Sequence, residues 1–161
     1  MLANRSIHSE KASTHFLDKA RRYCAYAEQC ESAVRQKLAS WGATANESSS
    51  IIEQLRAERY LDDERYARAY CESKLLHQHW GRMKVAYQLR IKQLPREVID
   101  GALNAIDEDA YLQMLQEVAA RKRKELGEDP QADRKLISFL AARGFTASEI
   151  NQAKLNNDRT I

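Results

Sequence analysis

Residues 136–144 read LISFLAARG, and the spacing of their apolar pair occurs twice earlier in the chain, in VRQKLASWG at 34–42 and in VAYQLRIKQ at 85–93. In each stretch, two apolar residues stand four positions apart, which places them on the same face of a helix. The stretches follow one another at intervals of 51 residues, from 34 to 85 and from 85 to 136. Regular self-similarity of this length is typical of a protein built from repeated helical units.

The ends of two of these helices are marked by glycine. Gly42 and Gly144 follow their apolar pairs at the same distance, whereas Gln93 occupies that position in the middle copy. Glycine commonly ends a helix because it adopts the left-handed backbone conformation without a steric penalty. We therefore predict left-handed turns after the first and third of these helices.

Helix starts repeat as well. Asp62 and Asp107 each follow an apolar residue and precede an aromatic residue four positions later, Tyr66 and Tyr111. This pattern predicts an N-cap whose flanking apolar side chains pack together as a hydrophobic staple. Thr146, with a glutamate three positions later, predicts a capping box at the start of another helix.

These signals predict an all-α protein, arranged as an elongated, curved array of three tandem three-helix repeats. The predicted boundaries are a flexible N-terminal tail at 1–13, repeat 1 at 14–60, repeat 2 at 61–106, and repeat 3 at 107–161, which includes a short C-terminal tail. Within this scheme, the Thr/Asn/Ser-rich segment 43–50 and the segment 127–130 are expected to be loops.

The amino-acid composition favours a soluble, helical protein. The 161 residues are 43% hydrophobic and 30% charged, with only 5 Gly and 2 Pro. That apolar content is too high for a disordered chain, and no run approaches the roughly 20 apolar residues that span a bilayer. The first 13 residues interleave charged side chains and contain no apolar signal-peptide core, so a cytoplasmic location is expected.

Catalytic and metal-binding patterns are sparse. Cys24, Cys30 and Cys71 are an odd set without zinc-ligand spacing, so we expect no disulfide and no cofactor, with Cys24 and Cys71 buried in apolar helices. The densest acidic cluster, at 62–64, together with His77 and His79, leaves open a metal-dependent hydrolase. Three acidic residues at a helix start are, however, favoured by capping and by the helix dipole, so a non-enzymatic protein is the stronger prediction.

The most informative feature is a segment with charges of one sign. From Ser73 to Arg96 there is no acidic residue, so this segment carries +6 of a chain whose net charge is +3. Its basic residues, with Trp80 and Tyr87 interleaved, are Lys74, Arg82, Lys84, Arg90, Lys92 and Arg96. Such a surface suits a nucleic-acid backbone or an acidic protein surface.

The helix in this segment has two predicted faces. Val85 and Leu89 are expected to face the core, while Lys84 and Tyr87 point away, and Lys84 and Lys92 are expected to be exposed. A second basic run consists of Arg121, Lys122, Arg123 and Lys124. Because cations near a helix C-terminus are favourable without any partner, we predict only a secondary contact there.

Three motifs, YLDDERYA at 60–67, GRMKV at 81–85 and FLAARGF at 139–145, resemble those of the bacterial RecX regulatory proteins. The resemblance implies a cytoplasmic modulator of RecA recombinase that lies in the groove of the RecA–DNA filament and contacts neighbouring protomers. It would restrain ATP hydrolysis, strand exchange and co-protease activity in recombination and the SOS response. The chain departs from the family at 93–95, where members commonly carry Lys-Gly-Ile, and at Tyr66, where Phe is commoner.

The motif residues themselves read as structural, namely Leu61, Asp62, Asp63, Tyr66, Gly81 and Gly144. We therefore predict that the partner is held by the cations and aromatics, because Arg and aromatic side chains dominate binding energies. The expected partners are the RecA filament and single- or double-stranded DNA. A stand-alone nucleic-acid-binding helical module is the alternative.

Overall fold

The computed structural model describes residues 3–157, with side chains for residues 14–154. The helices in this range are α1 Ala3–Tyr26, α2 Glu31–Ser40, α3 Ala45–Ala57, α4 Asp63–Glu72, α5 Arg82–Ile91, α6 Arg96–Asn104, α7 Glu108–Leu126, α8 Ala132–Ala142 and α9 Ala147–Asn157. A π-helical turn, Ser73–His77, continues α4. No strand occurs among the described residues, and the predicted all-α fold of three-helix repeats is confirmed.

The helices form two compact units. The first comprises the chain up to Tyr66 together with Lys92–Leu94, and the second comprises Ala67–Ile91 and the chain from Pro95 onward. Helix α1 begins at Ala3 rather than near residue 14, since no Gly or Pro interrupts the preceding segment. Residues 1–2 and 158–161, which hold the ends of the two predicted tails, lie outside the described residues.

The first unit packs α1, α2 and α3 around one core. Val34 and Leu38 are fully buried, as their spacing predicts, and they join Leu17 of α1 and Leu55 of α3. Segment 43–50 is not a loop, because Thr44 starts α3 with a complete capping box. The Thr44 amide donates to Glu47 over 2.7 Å, and the Thr44 hydroxyl accepts from the Glu47 amide over 3.2 Å.

Two neighbouring aspartates cap two different helices, α4 and α2. Asp62 Oδ1 accepts a hydrogen bond of 2.9 Å from the Arg65 amide and thereby caps α4. Asp63 Oδ1 accepts one of 3.0 Å from the Glu31 amide at the start of α2, where Cys30 makes no side-chain cap. Since unpaired amides at a helix start need acceptors, both carboxylates have a structural task. Leu61 is buried and Tyr66 is half-buried beside them.

The predicted left-handed turns are present. Gly42 and Gly144 have φ values of +94° and +93°, and the amides of the residues that follow them donate back to Leu38 and Leu140. Gln93 has a φ of +62° and therefore keeps the left-handed conformation without glycine. The departure from the family at 93–95 thus leaves this turn left-handed. The segment at 127–130 is a loop, as predicted, and lies between α7 and α8.

The second unit is held together where the start of α5 meets the end of α8. The Gly81 amide donates to the Arg143 carbonyl over 2.7 Å, and the Met83 amide donates to the Gly144 carbonyl over 3.1 Å. A Cβ on Gly81 would lie 2.1 Å from the carbonyl carbon of Gly144. The two glycines therefore permit an approach between backbones that any side chain would prevent.

This contact predicts that Gly81→Ala destabilises the protein by at least about 2 kcal/mol, because the added methyl group collides with backbone atoms. Gly101→Ala is the matched control, since Gly101 lies in α6 and nothing is within 4 Å of its added Cβ. The control should be neutral or stabilised by up to about 1 kcal/mol. Urea unfolding followed by circular dichroism measures both changes. A wild-type midpoint for Gly81→Ala would contradict the proposed role of the contact.

Candidate functional site

The basic segment spans the π-helical turn, α5 and the start of α6. Helix α5 buries Val85 and Leu89 completely, which confirms its predicted inner face. On the opposite face, Met83, Tyr87 and Ile91 are 57%, 57% and 56% exposed. Their spacing of four residues aligns them along one side of the helix. We call these three side chains the outer stripe of α5.

Trp80 lies just before α5 and has lysine side chains against it. The ammonium nitrogen of Lys84 is 4.1 Å from the centroid of the Trp80 ring, and that of Lys74 is 4.9 Å away. Lys74 also donates to Gln78 over 2.9 Å. The expectation that Lys84 is exposed is wrong, since it is half-buried. The reason is that a lysine stem packs readily on an aromatic face while its ammonium group makes a cation–π contact.

Arg82 is committed to contacts inside the second unit. Its guanidinium lies 4.0 Å above the Tyr111 ring, 2.5 Å from a carboxylate oxygen of Glu108 and 3.8 Å from one of Glu149. Burial is the largest single influence and by itself lowers the pKa of Arg82, but the hydrogen bond to Glu108 and the charges around the guanidinium together raise the pKa above its ordinary value. The same bond lowers the pKa of Glu108. Two carboxylates thus offset the positive charge of this residue.

The remaining predicted cations of the segment differ in their surroundings. Arg90 is exposed on α5. The Arg96 side chain is 89% exposed and lies 3.4 Å from Asp100 within α6. Lys92, in the first unit, is half-buried rather than exposed because its ammonium lies 5.9 Å from the Tyr66 ring centroid. Only part of the predicted basic surface is therefore open to a partner.

The second basic run is divided in the same way. Lys122 pairs with Glu125 at 3.0 Å, and Arg123 pairs with Asp133. Lys122 also lies 5.0 Å from the centroid of the Phe139 ring. The other two cations, Arg121 and Lys124, are exposed on α7. Half of this run therefore pairs within the fold, and a secondary partner contact there stays a prediction.

Two residues that sequence reasoning treated only as motif positions hold the base of α5. The Arg143 guanidinium donates to the carbonyls of His79 over 2.9 Å and Gln78 over 2.7 Å. The fully buried Tyr111 accepts a hydrogen bond of 3.2 Å from the Arg82 amide, and burial raises the pKa of its hydroxyl. Nothing in the sequence shows these bonds, because they join residues 29 to 65 positions apart.

A cation–aromatic cluster in the first unit was also missed. Lys19 lies 4.5 Å from the centroid of the Trp41 ring, and Lys37 lies 5.8 Å from that of Tyr23. The rings of Tyr23 and Trp41 meet edge to face at 6.4 Å. The sequence does not show this cluster, because its two lysines come from different helices, Lys19 from α1 and Lys37 from α2.

The described residues show little reactive chemistry. Within that part of the chain, no group of three His, Cys, Asp or Glu side chains is placed to hold a metal ion. The three cysteines are free and buried, as predicted for Cys24 and Cys71, and burial raises the pKa values of these two residues to about 11. Their thiols are therefore protonated at neutral pH and are weak nucleophiles. In the same part of the chain, no helix is long and apolar enough to cross a membrane.

The fold defines a class of protein, a tandem three-helix-repeat protein. Two family models match it: "RecX, second three-helix domain" over residues 62–103 and "RecX, third three-helix domain" over residues 108–153. A "Regulatory protein RecX" from Halorhodospira halophila is 31% identical over 146 residues, or 88% of each chain. One from Mycolicibacterium vanbaalenii is 31% identical over 76% of this chain and 72% of its own.

Solved structures agree in fold. The crystal structure of a regulatory protein RecX matches 93% of this chain and 76% of its own with a TM-score of 0.85 at 20% identity. That of RecX from Lactobacillus salivarius matches 92% of this chain and 98% of its own with a TM-score of 0.84 at 18% identity. The chain belongs to the RecX family of regulatory proteins.

The Arg82–Glu108 pair predicts a pH-dependent loss of stability in Glu108→Gln. Because the folded-state pKa of Glu108 is lowered, its stabilisation is present above the unfolded pKa of about 4.3 and is lost as the pH falls through the folded value. Since Glu108 is mostly exposed, the cost at pH 7 should be below about 1 kcal/mol. Urea unfolding at pH 7 and pH 3 should show the difference at pH 7 alone.

Glu117→Gln is the control for this experiment, because Glu117 lies on the same helix and accepts a hydrogen bond from the neutral Gln113 side chain. It should change stability little at either pH. An equally large effect of Glu108→Gln at pH 3 would show that the contribution of Glu108 to stability does not come from its negative charge.

Proposed function

We propose that this protein is a cytoplasmic, non-enzymatic regulator that binds the RecA recombinase–DNA filament and lowers its ATPase, strand-exchange and co-protease activities. Through these activities it would act in homologous recombination and the SOS response. Membership of the RecX family of regulatory proteins is the observation that carries the proposal. The partner itself follows from the resemblance of the three motifs to that family.

The geometry of the second unit supports a binding role. Helix α5 presents the outer stripe and Arg90 on a segment that has no acidic residue, and Arg121 and Lys124 are exposed on α7. Exposed apolar side chains next to cations suit a negatively charged partner. We propose partner or DNA contacts for Lys74, Arg82, Lys84, Tyr87, Arg90, Lys92, Arg96, Arg121, Lys122, Arg123 and Lys124.

These residues differ in how accessible their side chains are to a partner. Those with exposed side chains can meet a partner directly, as Tyr87, Arg90 and Arg121 can. Arg82 would have to leave Glu108 and Glu149 first, at the cost of an ion pair and a cation–π contact. Arg82 therefore contributes chiefly by fixing the start of α5.

Adding the purified protein to RecA on single-stranded DNA should lower the steady-state rate of ATP hydrolysis in proportion to the filament bound. A coupled spectrophotometric assay with increasing protein measures this directly. Gly81→Ala is a useful comparison, since loss of the α5–α8 contact should weaken the effect through loss of fold. An unchanged hydrolysis rate at saturating wild-type protein would contradict the proposal.

Direct binding to nucleic acid is the second candidate, favoured by the exposed Arg121 and Lys124. If about five phosphates are neutralised, the slope of log affinity against log salt should be near −4.5 on duplex DNA or about −3.5 on single strands. Fluorescence anisotropy without RecA, over a range of salt concentrations, provides the slope. Strong salt-dependent binding without any effect on RecA would favour the stand-alone module, and absence of binding would remove it.

A further inference from the structure

The outer stripe of α5 lacks a structural role within the fold. Met83, Tyr87 and Ile91 are each more than half exposed, while Val85 and Leu89 on the same helix are fully buried. The core contacts of α5 are therefore made by one face, and the opposite face presents three large apolar side chains to water. Contiguous exposed apolar side chains on a regular helix are characteristic of an interaction site.

We propose that the outer stripe docks into an apolar groove, bordered by carboxylates, on a protein partner. Apolar anchors spaced three or four residues apart on one face are the pattern by which a helix enters a hydrophobic groove, and the outer stripe has the four-residue spacing. The partner rests on the proposed function, under which this groove lies on a RecA protomer of the filament. The α5 surface is thus a protein contact, and DNA is bound elsewhere or not at all.

The internal contacts of the cations near the outer stripe favour a protein partner over nucleic acid. A phosphate backbone is bound chiefly by cations that are free to approach it. Around α5, Lys74 and Lys84 lie against Trp80, and Arg82 is paired with two glutamates. Outward, α5 offers aliphatic and aromatic surface together with the exposed Arg90, and within the outer stripe only the Tyr87 ring could stack on a base.

Charge indicates what borders the groove. The exposed Arg90 lies three positions after Tyr87 and seven after Met83, on the same side of α5 as the outer stripe. The half-buried Lys84, next to Met83 in the sequence, is a second positive charge near the outer stripe. No acidic residue occurs between 73 and 96 to offset them. A groove edged by carboxylates complements this arrangement, with Tyr87 and Arg90 as the residue types that most often dominate interface energies.

The test compares Tyr87→Ala/Ile91→Ser with Tyr26→Ala/Ile137→Ser. The control removes the same residue types from exposed positions outside α5, where Tyr26 is 93% and Ile137 40% exposed. Both double variants should retain the wild-type circular dichroism spectrum and melting temperature. For each, we measure the affinity for RecA filaments assembled on single-stranded DNA, the concentration that half-inhibits ATP hydrolysis, and the affinity for the same DNA without RecA.

We expect the α5 variant to bind filaments at least about 10-fold more weakly and to require a correspondingly higher concentration for inhibition. Its affinity for DNA alone should stay within about 2-fold of wild type, and the control variant should match wild type throughout. Arg90→Glu should also weaken filament binding, whereas Arg90→Lys should retain most of it, because either basic side chain can pair with the carboxylates that border the partner's groove.

Each other outcome is decisive. If the α5 variant inhibits RecA as wild type does, the docking surface is overturned while the proposed function stands. If it loses affinity for DNA alone as much as for filaments, the surface binds nucleic acid and the inference is again overturned. If wild-type protein itself neither binds nor inhibits the filament, the proposed function fails, and docking on RecA fails with it.

Discussion

The backbone of Gly144 lies directly against that of Gly81, and the second unit depends on this close approach. The amides at the start of α5 would otherwise lack acceptors, and the carbonyls of Arg143 and Gly144 at the end of α8 supply them. Because the contact joins two backbones, it leaves no room for a Cβ at Gly81. The direction in which α5 leaves this point is thus set by hydrogen bonds, and with it the positions of the outer stripe and Arg90.

Side chains reinforce the same contact between the start of α5 and the end of α8, and the charges that they use there are not open to a partner. Arg143 binds two carbonyls of the loop before α5, and Arg82 stacks on Tyr111 while it faces Glu108 and Glu149. Tyr111 in turn packs against Phe145, with ring centroids 6.1 Å apart. Part of a conspicuous basic segment therefore holds the fold in place. The exposed apolar stripe is left as the feature of α5 that the fold does not use.

Several of the motif residues by which the family is recognised have structural roles, although Arg82 and Lys84 of the same motifs are also among the proposed contacts. Asp62 and Asp63 cap helices, and Gly81 and Gly144 allow backbones to meet, so these positions are constrained by the fold. The side chains of Met83 and Tyr87, by contrast, are each 57% exposed. Side chains on the exposed face of α5 can therefore change without disturbing the backbone contact between Gly81 and Gly144.

The sequence by itself determined the local structure. Apolar pairs such as Val85 and Leu89, cap residues and helix-ending glycines act within a few positions of one another, so their spacing predicts helix type, face and ends. The prediction is wrong at segment 43–50. Its polar composition is typical of a loop, but the capping box at Thr44 starts α3 there. Only the tertiary structure decided which cations are available, because Arg82 and Lys84 are engaged by residues brought near through folding, and charge counted along a chain carries no information about distance.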